Sequence, residues 1–365
     1  MSEHQPPSLA TAGSVPPGPG PATPLERGAP AGTAGATPAG PSAPSRRWGG
    51  GGAGRNIGLV VALAVLCVVG FATGGERFAS LDNVMTILRL AAVIGVLSIG
   101  MTFVITGGGI DLSVGSLVGL TSVWASTLAT QTMAQDTHWA VMVFTALAVG
   151  TVAGVVNGVL VAYGKVVAFI ATLAMMVAAR GLAEIIANRQ TQIVDVDPFL
   201  DVFRADILGV SVLVWIFALV AVAGWFLLNR TTFGRRTLAV GGNPEAARLA
   251  GIKVQRHTVS LYALSGLTAG IAGVMMLART TSGSSTHGTL MELDAIAAVV
   301  VGGTLLAGGR GTIVGTVFGV LIFTTLTNVF VQNNLSTSAQ GVAKGLIIVV
   351  AVLLQQQLAA RSRRT

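Results

Sequence analysis

Only 10% of the 365 residues are charged, against about 25% in a soluble globular chain, and 52% are hydrophobic. The apolar residues gather in segments near the ~20 residues that cross a bilayer as a helix. A water-soluble enzyme is excluded, and an all-α integral membrane protein surrounded by lipid is indicated. The net charge of +8 sits at span ends as a topology signal, so no nucleic-acid partner is expected.

All prolines except Pro198 and Pro244 fall in the first 56 residues, among Ala, Gly, Ser and Thr. That stretch has no apolar period that could bury a core. A disordered cytoplasmic tail over 1–56 is predicted, with Arg46 and Arg47 as a positive anchor. Ten spans are then predicted in the domain 57–358. They run Ile57 to Gly74, Val84 to Thr106, Leu112 to Gln131, Trp139 to Tyr163, Val166 to Ala187, Val210 to Leu228, Thr258 to Ala278, Asp294 to Ala307, Thr312 to Val331 and Gln340 to Leu354. The eighth is short and runs directly into Gly308-Gly309-Arg310-Gly311, so a broken or re-entrant segment is expected there. Residues 359–365 read as a basic cytoplasmic tail.

Basic residues beside spans stay on the cytoplasmic side. With the N-terminal tail inside, Arg46, Arg47, Arg55, Lys165, Arg230, Arg235, Arg236, Arg248, Lys253, Arg256, Arg310, Arg361, Arg363 and Arg364 fall in inner segments. Only Arg77, Arg189, Arg204 and Arg279 fall in outer loops. Both termini are therefore expected in the cytoplasm.

Cys67 is the only cysteine and the four histidines are scattered, so neither a disulfide nor a metal site is expected. Lys165, Lys253 and Lys344 are the only lysines, followed by Val166, Val254 and Gly345. This leaves no Gly-x-x-x-x-Gly-Lys-Ser/Thr phosphate loop, and no nucleophile, base and orienting group cluster in the sequence. Not an enzyme, the chain is expected to have no catalytic residues and no cofactor. If transport is driven by ATP, the ATPase must be another subunit.

Transmembrane helices associate through small residues that let backbones approach. Gly150, Gly154 and Gly158 share one helical face, and Gly115/Gly119, Gly266/Gly270 and Gly315/Gly319 repeat the spacing. A faint echo relates Gly108-Gly109, Gly115 and Gly119 to Gly308-Gly309, Gly315 and Gly319, in the same chain direction and as readily by chance as by duplication. Charged groups at membrane depth are costly. Arg89, Arg180, Glu184 and Lys344 fall near outer span ends, where long side chains reach the headgroups. Arg180 and Glu184 are placed to pair on one helical face, and a role in a polar pathway stays open beside that pairing.

Asp111 follows Gly107-Gly108-Gly109-Ile110 and precedes Leu112-Ser113-Val114-Gly115. The glycines break one helix, and Asp111 with Ser113 is placed to satisfy amides at the start of the next. Broken helices also line transporter pathways, so a cap alone and a cap that also gates are both open. The loop 229–257 carries Asn243-Pro244-Glu245, which reads as an N-cap, an N1 proline and a first-turn acid, and Gly251 reads as the stop. A helix from Pro244 to Ala250 is predicted, offering Ala246, Ala247, Leu249 and Ala250 to a partner's groove.

Taken together, Gly100-Met101-Thr102 through Thr106-Gly107-Gly108-Gly109-Ile110-Asp111-Leu112-Ser113-Val114-Gly115-Ser116 closely resembles the signature of ribose-type permease subunits of bacterial ABC importers. Ala239-Val240-Gly241-Gly242-Asn243 with Ala246-Ala247-Arg248-Leu249-Ala250-Gly251-Ile252 is similar to that family's cytoplasmic loop, and Glu245-Ala246-Ala247 to Gly251 to the EAA pattern of importer permeases. Glu292 to Ala297 with Gly302-Gly303-Thr304 and Gly308 to Thr312 is similar to its third block. The third glycine of 107–109 departs from the family's usual pair. The resemblance implies a multi-pass protein of the bacterial inner membrane that translocates a monosaccharide. It further implies a second permease subunit in a homodimer, a cytoplasmic ABC ATPase subunit and an extracytoplasmic sugar-binding protein. Gly107, Gly108, Gly109, Asp111, Ser113 and Gly115 would serve translocation or gating, and Asn243, Glu245, Ala246, Ala247 and Gly251 would couple to the ATPase. A branched-chain amino-acid ABC permease and an ion-coupled secondary transporter stay open as alternatives.

Overall fold

Long runs of Val, Leu, Ile and Ala, punctuated by glycine, fold as helices because each helix satisfies its own backbone polar groups. The computed structural model describes residues 52–362. Its helices are α1 (Gly52–Gly74), α2 (Glu76–Ala79), α3 (Leu81–Thr106), α4 (Val114–Ala125), α5 (Leu128–Asp136), α6 (Ala140–Ala162), α7 (Ala168–Ile186), α8 (Asp197–Arg204), α9 (Val212–Arg230), α10 (Thr232–Gly242), α11 (Pro244–Leu249), α12 (Val254–Thr280), α13 (Met291–Val301), α14 (Ile313–Gln332) and α15 (Thr337–Ser362). Four two-residue strands, β1 (Gln192–Ile193), β2 (Asp206–Ile207), β3 (Val210–Ser211) and β4 (Ser282–Gly283), join antiparallel as β1–β4 and β2–β3.

Among the described residues, seven helices are long and apolar enough to cross a membrane: α1, α3, α6, α7, α9, α12 and α14. The other three expected spans differ. The third is two helices: α4 ends at Ser126, whose hydroxyl donates back to the Ser122 carbonyl, and Thr127 then accepts from the Thr130 amide to start α5. The eighth is α13, which ends at Val301 before a turn through Gly303, Gly308 and Gly309, all with positive φ. The expected break is therefore found after an 11-residue helix. The tenth lies in α15, which continues to Ser362, so residues 359–362 expected as tail are helical. Of the expected N-terminal tail, residues 1–51 lie outside the described residues, and α1 begins at Gly52.

α3 and α12 form the centre, with most of their apolar windows buried (78% and 72%), whereas those of α1, α7 and α9 are 11%, 22% and 22% buried. Leu97, Met101, Phe103, Leu117 and Met275 fill that centre. Val61, Phe144 and Leu219 stay exposed, as lipid-facing side chains do. Among the described residues, α6 and α12 share the most extensive helix contact. A Cβ added at Gly150 or Gly154 would meet backbone of Gly266 or Tyr262, and one at Gly158 would lie 2.7 Å from the Val259 Cα. The expected glycine face of α6 thus meets the Gly266/Gly270 face of α12, backbone against backbone. Gly315 and Gly319 of α14 likewise meet the carbonyls of Gly302 and Ala298.

Candidate functional site

Gly107-Gly108-Gly109 stops α3 in a tight turn, in which the three amides donate to the carbonyls of Phe103, Ile105 and Val104 at 2.9 Å each. Gly108 takes φ +86, a conformation that a Cβ penalises. The chain then turns inward, and Asp111 is fully buried. Its Oδ1 accepts from the Ser113 amide (3.0 Å) and the Ser113 hydroxyl (2.6 Å), and its Oδ2 accepts from the Ser265 hydroxyl of α12 (2.8 Å). The Asn157 amide nitrogen of α6 donates to the Ser113 hydroxyl at 2.9 Å. Asp111 therefore satisfies an amide before α4, as expected, and also latches the α3–α4 turn to α6 and α12. Sequence reading passes over Asn157 and Ser265. The available signal was an amide in an apolar span between Gly154 and Gly158, since such groups need partners in lipid.

Asp111→Ala leaves the Ser113 amide and the Ser265 hydroxyl without their acceptor, and each unpaired buried donor costs about 1–3 kcal/mol. Asp111→Asn keeps an acceptor for Ser113, and the Ser265 hydroxyl can turn to accept from the new amide. The expected result is a clear fall in thermal unfolding temperature for Ala and a smaller one for Asn. Equal temperatures for both variants and the parent would remove the latch.

The second candidate segment is built from local signals. Asn243 accepts from the Ala246 amide at 3.0 Å, Pro244 opens α11, and Glu245 pairs with Arg248 at 3.0 Å. Gly251 ends the element at φ +82, while the Ile252 amide donates to the Ala247 carbonyl. Ala247 was expected to face a partner. It is instead buried at 4% exposure, packed against its own chain, and the outward residues are Ala246, Leu249 and Ala250. The reason is the helical period, which turns one position of this short element back toward the bundle.

α11 is tied to the bundle through α10. The Thr237 hydroxyl and His257 Nε2 share a 2.9 Å hydrogen bond, and the rings of Phe233 and His257 pack 4.7 Å apart. At the end of α10 a Cβ on Gly241 would collide with the Thr106 carbonyl, whose oxygen accepts from the Gly309 amide at 2.8 Å. A Cβ on Gly308 would lie 2.9 Å from the Gly108 Cα. The glycine turns after α3 and α13, the two that echo in sequence, thus touch each other and the base of the α10–α11 element. Gly115, expected with the gating turn, lies elsewhere, against Gly288 and the Glu292 carboxylate.

Arg180 does not pair with Glu184. Its Nη1 donates to the carbonyls of Ser285 and His287, the latter at 2.9 Å, and Glu184 pairs with Arg189 at 3.4 Å. Lys344 of α15 holds Asp294 of α13 at 3.0 Å, both largely buried, and Arg89 reaches Asp206 at 3.4 Å.

A bundle of apolar helices, with glycine turns gathered beneath an outward-facing short helix, defines a multi-pass membrane protein of the permease class. Residues 83–352 match the family described as "Branched-chain amino acid transport system / permease component", and the chain belongs to that family. It is 41% identical over 304 residues, 82% of its length and 92% of the relative's, to "Ribose import permease protein RbsC" of Escherichia coli (strain K12). To the protein of the same name from Bacillus subtilis (strain 168) it is 41% identical over 280 residues, 76% of this chain and 86% of the relative. "L-arabinose ABC transporter permease protein AraH" of Azospirillum brasilense is 38% identical over 275 residues, 75% of this chain and 80% of the relative. No solved structure matches the chain. The resemblance to ribose-type permease subunits, read from three sequence blocks, is borne out, and the chain is a transport subunit.

Proposed function

We propose that this chain is the membrane-spanning permease of an ATP-driven ABC importer that translocates a monosaccharide. The observation that carries the reading is likeness across almost the whole length of permeases named for ribose and arabinose import. The branched-chain amino-acid alternative rests on the wording of the family description alone.

In this reading the chain sits in the inner membrane with both termini cytoplasmic, pairs with a second copy, and receives sugar from an extracytoplasmic binding protein. α11 docks on a cytoplasmic ATPase through Ala246, Leu249 and Ala250, with Asn243, Glu245 and Gly251 fixing its shape and Ala247 seating it on the bundle. Movement of α11 reaches Thr106 and Gly108 through Gly241, because a junction of bare backbones leaves no side chain to absorb a displacement. Gly107, Gly108, Gly109, Asp111 and Ser113 then form the hinge of a gate, and Gly115 keeps α4 close to the segment before α13.

Because no phosphate loop is present in the sequence, vesicles holding only this polypeptide should neither hydrolyse ATP nor accumulate ribose or arabinose. Concentrative uptake by the chain alone under a proton or sodium gradient would contradict the reading and favour the ion-coupled alternative.

A further inference from the structure

The segment between α12 and α13 does not behave as a surface loop. After β4 it runs down along α4: the carbonyls of Ser285 and His287 each lie 3.0 Å from the Cβ position of Gly119, and the carbonyl of Gly288 abuts Gly115. Irregular backbone beside apolar helices is tolerated only where it is buried in protein or lines a polar cavity. Both conditions meet here, because the Arg180 Nη1, 2.9 Å from the same Cβ position of Gly119, donates to the Ser285 and His287 carbonyls. By position in α7, Arg180 lies about 9 Å inside the helix end, at ~1.5 Å per residue.

A cavity of about 460 Å³ on the α10–α12 face is lined by Arg236, Lys253 and Arg256, but its cations belong with the α11 docking surface already described. The cavity between α4, α7 and the start of α13 is different. It has a volume of about 430 Å³, and Ser116, Val177, Arg180, Glu184, Thr289 and Glu292 line it. Glu292 is buried at 8% exposure, and among the described residues its carboxylate forms no ion pair within 4.0 Å. Structural needs account for part of this: Glu292 sits in the first turn of α13, where an acid suits the helix dipole. Arg180 is engaged by the two carbonyls and Glu184 by Arg189; what structural needs leave over is the buried Glu292 lining the same open space as Ser116 and Thr289, in an apolar bundle where each charge is costly.

The geometry points to a monosaccharide-binding station on the translocation path in the cavity between α4, α7 and the segment 285–292. Arg180 donates to sugar oxygens, and Glu292 and Glu184 accept from sugar hydroxyls. Ser116 and Thr289 serve either way, and Val177 faces a C–H surface of the ring. A neutral polyol suits this lining better than an ion, since apolar Met176, Val177 and Leu290 stand among the polar side chains and, among the described residues, no cluster that could hold a metal ion is found. The inference rests on the monosaccharide reading above.

The test uses the complete importer, with its ATPase and binding protein, in cells with no other uptake route for ribose and arabinose. Glu184→Gln and Thr289→Val alter partly or fully exposed side chains and should leave membrane abundance and ATPase co-purification unchanged. Each should change the ratio of ribose to arabinose uptake rates at saturating sugar. Glu292→Gln should lower both rates about tenfold, the loss expected for a hydrogen bond to a charged group, again at normal abundance. If Glu292→Gln reaches the membrane poorly, the other two variants decide. Parental rates and an unchanged sugar ratio in Glu184→Gln and Thr289→Val, with the parent active, would overturn the station and leave the importer reading intact. A parent that moves neither sugar with all partners present would overturn both.

Discussion

Gly154→Leu should remove the folded protein from the membrane. A Cβ at this position collides with the Tyr262 carbonyl and lies 3.1 Å from the Gly266 Cα. Both obstacles are backbone, so no rotamer change relieves them, and α6 must move away from α12. Overpacking a well-fitted contact costs about 1–3 kcal/mol. Here the cost should exceed that range, because separating the helices also strains the Asn157–Ser113–Asp111–Ser265 chain between them. Small residues at such contacts are what allow transmembrane helices to associate in lipid. Gly58→Leu on α1 is the matched control, as nothing lies within 4 Å of its added Cβ. Membrane abundance and the unfolding temperature in detergent should collapse for Gly154→Leu and hold for Gly58→Leu. Equal values for the two would mean that the α6–α12 contact does not carry the bundle.

Variants of α11 should give the opposite pattern, with a well-inserted chain that no longer transports. Leu249 is 81% exposed at the tip of the element, and Leu249→Glu puts a charge where an apolar anchor is expected to enter the ATPase. Loss of such an anchor costs about 2 kcal/mol or more, roughly thirtyfold in binding. Gly251→Val acts on backbone shape: there is room for the side chain, but φ is +82, and a residue with a Cβ pays about 1–2 kcal/mol in the left-handed region. Ala247 is a poor test of docking, because its burial within the chain makes any large substitution a folding variant. For Leu249→Glu and Gly251→Val the expected readings are normal membrane abundance, weak ATPase co-purification and little sugar uptake. Normal uptake and normal ATPase retention in both would show that α11 is not the docking element.

How much could be read beforehand depended on how local the chemistry was. α11 was legible because Asn243, Pro244 and Gly251 act within one turn of their own helix. The break after α13 was legible because Gly308 and Gly309 follow a short apolar run. The division of the third span was not, since two hydroxyl residues, Ser126 and Thr127, are averaged away within a long apolar window and act through hydrogen bonds that such an average ignores. Asp111 stood out as a charge beside a glycine turn, yet its partners lie 44 and 154 residues away, counted from Ser113 to Asn157 and from Asp111 to Ser265, and no short-range period encodes them. Glycine spacing marked the faces of α6, α12 and α14 without saying which would meet. Helical spacing placed Arg180 to pair with Glu184, with a pathway role left open beside it, but two backbone carbonyls hold it, and no side-chain pattern announces a carbonyl. The inward-facing Ala247 reflects the same limit: a small residue marks a close approach without identifying its own chain or a partner as the neighbour.

The most direct measurement is sugar uptake into proteoliposomes that contain this chain, its ATPase and its binding protein, with ATP and partners withheld one at a time. The expected result is accumulation of ribose or arabinose only when ATP, ATPase and sugar-loaded binding protein are all present, unaffected by excess leucine. Accumulation of leucine in place of sugar, or sugar uptake that persists without ATP, would contradict the assignment of this chain as the permease of an ATP-driven monosaccharide importer.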